Sequence, residues 1–172
     1  MKQLDLGCGT NIRTDAGYES FGVDIVDVGL PNVKVADLTF DKIPYPDNTF
    51  DLVTAYDFLE HIPMVVYEGK NKRNAMIRLF DEIYRVLKHQ GVFYSQTPLY
   101  PHREVFQDPT HVSVWTTETV NYFSGDYFGF HDHYNHHSRF EKIESKEEGS
   151  HLVMRLKAIK DLAEGAPYVL SY

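Results

Sequence analysis

The chain has one cysteine, Cys8, in 172 residues, so it can form no internal disulfide and cannot be a disulfide framework of the secreted kind. Long apolar runs are missing too. The longest stretch free of Asp, Glu, Lys and Arg, from His89 to His102, is interrupted by Gly91, Pro98 and Pro101. It falls short of the ~20 apolar residues that a bilayer span requires. Asp5 and a glycine turn stand where a secretory leader would have its apolar centre. These absences predict a cytoplasmic protein with no membrane partner. Positive charge is scarce: 17 Lys and Arg against 25 Asp and Glu leave a net charge of −8 with His neutral. That sign opposes binding of duplex nucleic acid through its phosphates. An apolar share of 42% with 14% aromatic residues is that of an ordinary folded protein, and the length suits one domain.

Gln3 to Leu6 reads as a short strand running into the glycine turn Gly7-Cys8-Gly9. Further strands are expected over Tyr18–Ile25, Asn32–Ala36, Phe50–Tyr56 and Val92–Ser95. One strong helix is expected from about Asn71 to His89. Met76, Phe80, Ile83, Tyr84 and Leu87 share a face, Lys88 and His89 lie in the last turn, and Gly91 is the stop. Thr116 is a candidate cap for a short helix carrying Val120 and Phe123 on its apolar side. From Phe140 to Lys160 the pattern becomes strand, turn, strand, with Leu152, Met154, Leu156 and Ala158 on one face. Strands alternating with connections and ending in a hairpin predict an α/β fold: a mostly parallel sheet with an antiparallel edge.

A parallel sheet binds its ligand outside the carboxyl ends of its strands. Asp5, Asp24 and Asp37 all fall at or near such ends, and Gly7 and Gly9 allow close backbone approach. A carboxylate at the second strand end can accept both hydroxyls of a ribose. The third glycine of a dinucleotide fingerprint is absent, its place being taken by Ile12, which disfavours NAD.

Leu4-Asp5-Leu6-Gly7-Cys8-Gly9-Thr10 resembles motif I of the class I S-adenosylmethionine-dependent methyltransferases. Gly22-Val23-Asp24-Ile25, Ala36-Asp37-Leu38 and the run from Pro46 to Val53 are similar to later motifs of that family. Asp57-Phe58-Leu59-Glu60-His61-Ile62 resembles the segment after strand four in its "type 11" subgroup, and Arg85–Gly91 the end of its long helix. The resemblance implies a Rossmann-like, doubly wound, seven-stranded and mostly parallel sheet with a C-terminal antiparallel hairpin. The family's usual N-terminal helices are expected to be lacking. It implies S-adenosylmethionine as cofactor and S-adenosylhomocysteine as product. Asp5, Gly7, Cys8 and Gly9 would hold the methionine portion and Asp24 the ribose. Ile25 would pack on the adenine, Asp37 would accept from its amine, Leu38 would meet the ring, and Tyr56 would lie beside the methionine. The expected division of the domain is a cofactor half (1–98), acceptor-side loops and a lid (99–138), and the terminal hairpin (139–160). The first crossover, Asn11 to Ser20, is too short for a full helix. One sheet face should therefore be thinly covered, which favours a homodimer, cover by the C-terminal tail, or weak cofactor binding.

Methyl transfer from a sulfonium needs an aligned acceptor and, for an oxygen or nitrogen that loses a proton, a nearby base. The candidates are His111, His61 and Asp108, with Glu60 adjacent, and His102 and Trp115 as substrate contacts. These point to a small-molecule or sugar acceptor. A non-catalytic cofactor-binding subunit that needs a partner is the alternative, and an NAD-type oxidoreductase a weaker one. His131, His133, His136 and His137 could gather a metal but read better as a polar surface loop, so no metal is expected. Tyr122, Phe123, Tyr127, Phe128 and Phe130 read as a lid or pocket wall.

Overall fold

The computed structural model describes residues 1–124 and 136–160. In chain order the elements are β1 (Lys2–Leu6), β2 (Glu19–Asp24), β3 (Val33–Val35), β4 (Phe50–Tyr56), β5 (Val66–Glu68) and β6 (Asn71–Arg73). They continue with α1 (Ala75–Val86), β7 (Leu87–Pro98), α2 (Glu104–Gln107), β8 (Phe140–Glu148) and β9 (His151–Ala158). Seven strands form one sheet in the order β3-β2-β1-β4-β7-β9-β8, and β5 and β6 form a separate small hairpin. The pairs β3–β2, β2–β1, β1–β4 and β4–β7 are parallel, whereas β7–β9 and β9–β8 are antiparallel. The seven-stranded sheet with its antiparallel terminal hairpin is the expected architecture.

β1 is central and buried on both faces from Gln3 to Leu6, as strands between two parallel neighbours usually are. Leu4 and Leu6 join Val53, Ala55 and Phe93 in a core with Met76, Leu79, Phe80 and Ile83 of α1. Phe80 anchors an aromatic cluster: Phe123 stacks on it at 3.8 Å between ring centroids, and Phe93, Trp115 and Phe140 surround it. Such pairs contribute about 0.5–1.5 kcal/mol each beyond the area they bury. Gln3, Asp5 and Thr54 lie on the alternate positions, where Thr54 Oγ1 donates to Asp5 Oδ1 at 2.8 Å.

The helix is shorter than its sequence pattern at both ends. Asn71–Arg73 pairs with Val66–Glu68 as a hairpin instead of opening the helix. At the other end Leu87 is already extended, and Lys88 and His89 belong to β7. The stop is a tertiary one. The amides of Asn48 and Thr49 donate to the last carbonyls, Arg85 O at 3.0 Å and Val86 O at 2.8 Å, and Phe50 then pairs with Leu87. Lys88 forms an ion pair with Asp51 at 2.8 Å rather than capping the helix, and Gly91 lies within the strand.

Thr116 does cap a short 3-10 helix, Thr117–Tyr122, its side chain accepting from the Thr119 amide. No helix forms between Gly7 and Tyr18, in keeping with the short first crossover. Leu52, Thr54, Tyr56, Val92, Tyr94, Ile143 and Arg155 line an open groove of about 430 Å3 on the sheet. No helix of the described residues is long and apolar enough to cross a membrane.

Candidate functional site

The β1–β2 turn is shaped by two carboxylates. Asp24 Oδ2 accepts from the Gly9 amide at 2.8 Å and its Oδ1 from the Val26 amide at 3.0 Å. Asp5, 3% exposed, accepts from the Arg13 amide at 2.9 Å and from Thr54. Its loss of solvent pushes the carboxyl above the usual range, with these two hydrogen bonds pulling the other way. Gly7 adopts φ +66°, and a Cβ there would stand 2.5 Å from Phe58 Cδ2. Only glycine allows the turn and the Phe58 ring to occupy this space together.

The ends of β1, β2, β3 and β4 open on one cleft of about 560 Å3, within the range of small-ligand sites. Gly7, Asp24, Ile25, Asp37 and Leu38 line it together with Thr39, Asp57, Phe58, His61, Ile62 and Thr110. No Lys or Arg is among the lining residues, whereas three carboxylates are. Ile25 is 63% exposed on the lip, an apolar surface available to a flat ring. The cleft thus suits a ligand with hydroxyls, an aromatic ring and positive charge, and suits a pyrophosphate poorly.

Several candidates from the sequence lie outside this cleft lining. Asp5 is buried beneath the turn and acts by holding Arg13 and Thr54. Cys8 points its thiol at Gly22, and burial together with the charges of Asp5 and Asp24 pushes that thiol up to about 11. Tyr56 lies in the sheet groove with the Arg13 guanidinium 4.0 Å over its ring. Gly9 is held by Asp24 at the edge of the turn.

Two substrate contacts need correction. Trp115 is fully buried beside the stacked pair of Phe80 and Phe123, its Nε1 donating to Ser113 Oγ, so it is a core residue. His102 is paired instead with Glu147 of β8, Nε2 to Oε1 at 2.8 Å. Phe123 is likewise core rather than lid, because stacking on Phe80 buries it. Tyr127, Phe128, Phe130, His131 and His133 lie outside the described residues. His136 is buried, with Nδ1 3.0 Å from Asp81 Oδ1 and Nε2 2.8 Å from Ser138 Oγ.

His61, Glu60 and His111 do come together at the end of the cleft. The loop after α2 is fastened to the 59–61 turn, since the Val112 and Ser113 amides both donate to Glu60 O. This brings His111 Nε2 to 4.0 Å from Glu60 Oε1, with the His61 and His111 ring centroids 5.0 Å apart. The other oxygen, Glu60 Oε2, accepts from Thr97 Oγ1 at 2.8 Å. Burial raises the Glu60 carboxyl above its ordinary value. Asp108 accepts from the amide and the hydroxyl of Thr110 at 2.8 and 2.6 Å, and these bonds lower its carboxyl. His61 Nδ1 lies 3.0 Å from the same Thr110 hydroxyl. Because that hydroxyl spends its proton on Asp108, His61 Nδ1–H is the donor to it. Asp108 is therefore one bond removed from the cleft, acting through Thr110 on His61. Glu60, Asp57, Phe58, Thr39 and Thr110 complete the site. The sequence signal for Asp57, Phe58 and Glu60 was the run Asp57–Ile62 and for Thr110 the Asp-Pro-Thr-His step, while Thr39 directly follows Asp37-Leu38.

Comparison with known proteins supports a single family. Residues 4–95 match the family described as Methyltransferase domain. No curated protein matches the sequence. Among solved structures, a S-adenosylmethionine-dependent methyltransferase from Methanosarcina mazei has a TM-score of 0.60 at 16% identity, covering 92% of this chain and 92% of that one. One from Aquifex aeolicus has 0.56 at 18% identity, covering 92% and 81%. A chain from the Haloferax volcanii complex containing the Trm112 methyltransferase activator has 0.58 at 15% identity, covering 92% and 83%. The cleft passes the corresponding chemical test, offering carboxylates and an exposed apolar lip to a cationic nucleoside and no cation to a phosphate. The chain belongs to the S-adenosylmethionine-dependent methyltransferases of the Methyltransferase domain family, and S-adenosylmethionine is its cofactor.

Proposed function

We propose that this protein transfers a methyl group to an oxygen or nitrogen of a small-molecule or sugar acceptor. The observation that carries the proposal is one continuous lining: His61 and Thr110 share the cleft with Gly7, Asp24 and Asp37. Asp24 would hold the ribose hydroxyls, Asp37 and the Leu38 backbone the adenine edge, and Ile25 its face. The turn from Gly7 to Gly9, braced by Asp5, would carry the methionine end. S-adenosylmethionine, when bound, supplies an activated methyl carbon and leaves as S-adenosylhomocysteine. The residues of the chain align the acceptor and take its proton. His61 is the nearer base, because its Nδ1–H is fixed on Thr110 and its Nε2 is left with a lone pair. His111 stands behind it, and Asp108 positions both through the Thr110 loop.

Asp24→Ala tests the cofactor half. Loss of a hydrogen-bonded charge costs about 1.5–3 kcal/mol, so calorimetry should show S-adenosylhomocysteine binding weakened about 10- to 150-fold. Unchanged affinity would remove Asp24 from the ribose site. A second reading, a cofactor-binding subunit completed by a partner, draws on the open groove over Leu52, Tyr56, Tyr94 and Ile143. Co-purification of a stoichiometric partner whose addition switches on methyl transfer would favour it.

A further inference from the structure

Glu60 is 1% exposed, yet its Oε1 has no hydrogen-bond partner. A buried carboxylate oxygen left in this way is costly unless something positively charged meets it. One ligand atom each from Glu60, His61 and His111 lies within 4.8 Å of the others. The surrounding bonds prepare both imidazoles as donors of a lone pair. His111 Nδ1 donates to Val105 O at 3.1 Å, an acceptor only, so Nε2 carries the lone pair. That same Nε2 is the atom 4.0 Å from the orphaned Glu60 Oε1. His61 Nδ1 donates to Thr110 Oγ1, which donates to Asp108, again leaving Nε2 free to ligate. A histidine held through its other nitrogen by a carbonyl or a carboxylate-linked group is the usual support of a metal ligand.

We propose that Glu60, His61 and His111 bind one divalent transition-metal ion of the Zn2+ class. Two imidazoles with one carboxylate favour such an ion over Mg2+, which prefers an all-oxygen shell. Ligands around an ion at ~2.1 Å sit about 3 to 3.5 Å apart, so the present spacing closes by side-chain rotations of about 1 Å or less. Three protein ligands leave at least one coordination position open. His61 and Thr110 face the cleft, so that position opens toward the acceptor. There the ion would take an acceptor hydroxyl and lower its pKa, the hydroxyl proton passing to solvent. In that state the two imidazoles serve as ligands rather than as the base. The role at the acceptor rests on the methyl-transfer proposal; binding of the ion does not.

The full chain, stripped with chelator, is titrated calorimetrically with Zn2+, and with Co2+ as a visible-absorption probe. One ion per chain is expected. Glu60→Gln, His61→Ala and His111→Ala should each weaken binding by more than about tenfold. His61 is only half-buried, so His61→Ala keeps the test alive if Glu60→Gln fails to fold. The double variant His131→Ala/His133→Ala should bind as the wild type does. Absent binding, binding unaffected by His61→Ala and His111→Ala, or binding abolished by the His131/His133 variant would each overturn the proposal. Titration with S-adenosylhomocysteine is run separately. Loss of that binding with the ion site intact would count against the methyl-transfer proposal alone.

Discussion

Gly7→Ala should damage both the fold and the cleft, by an amount the local geometry sets. A non-glycine residue at φ +66° incurs about 1–2 kcal/mol of backbone strain. The new methyl would also stand 2.5 Å from Phe58 Cδ2 and 3.0 Å from Cγ. Phe58 must therefore retreat by about 1 Å, and overpacking of this kind costs about 1–3 kcal/mol. Together these give about 2–5 kcal/mol, or a fall in Tm of about 4–20 °C for a chain of this size. Phe58 lines the cleft, so its displacement should also weaken S-adenosylhomocysteine binding. Gly9→Ala is the control: its φ is +51°, but a Cβ there meets nothing within 4 Å. It should carry the strain alone, about 1–2 kcal/mol, with a correspondingly smaller Tm loss. Thermal unfolding by circular dichroism, with and without S-adenosylhomocysteine, reads both effects. If the two variants melt within about 2 °C of each other, the proposed collision with Phe58 is wrong.

Cys8, with its thiol pushed up to about 11, should be about one part in a thousand thiolate at pH 8. A disulfide reagent should label the native protein at least about a hundredfold more slowly than the urea-unfolded chain, and equal rates would contradict the burial argument. Asp5 has a folded-state carboxyl raised above 3.8 by desolvation. Its contribution to stability is therefore present below 3.8 and lost as pH rises through the raised value. Urea unfolding of Asp5→Asn and wild type from pH 3.5 upward should show the variant lacking that loss. Superimposable pH profiles would refute it.

The strands were legible where their signal is local. Phe50–Tyr56 is a compact β-favouring run preceded by turn residues, and it forms over those same residues. The terminal hairpin follows from Leu152, Met154, Leu156 and Ala158 facing the core. Asp24 and Asp37 were likewise readable, because strand ends in a parallel sheet are defined by chain order alone. What failed depended on distant partners. The apolar period of α1 runs past Val86 in sequence, but Asn48 and Thr49 terminate the helix from another part of the chain. Trp115 lies near the polar loop in sequence, yet Phe80, 35 positions earlier, claims it for the core. His102 is taken by Glu147 across a similar gap. Glu60 had the opposite fate, its importance resting on the loop that brings His111 beside it.

The central claim is that the cleft at the ends of β1–β4 binds S-adenosylmethionine and not a pyrophosphate dinucleotide. Calorimetric titration of the purified chain with S-adenosylhomocysteine, and separately with NAD, tests it most directly. Stoichiometric binding of the former is expected, weakened about 10- to 150-fold in Asp24→Ala, with no binding of the latter. Binding of NAD, or S-adenosylhomocysteine binding indifferent to Asp24, would contradict it.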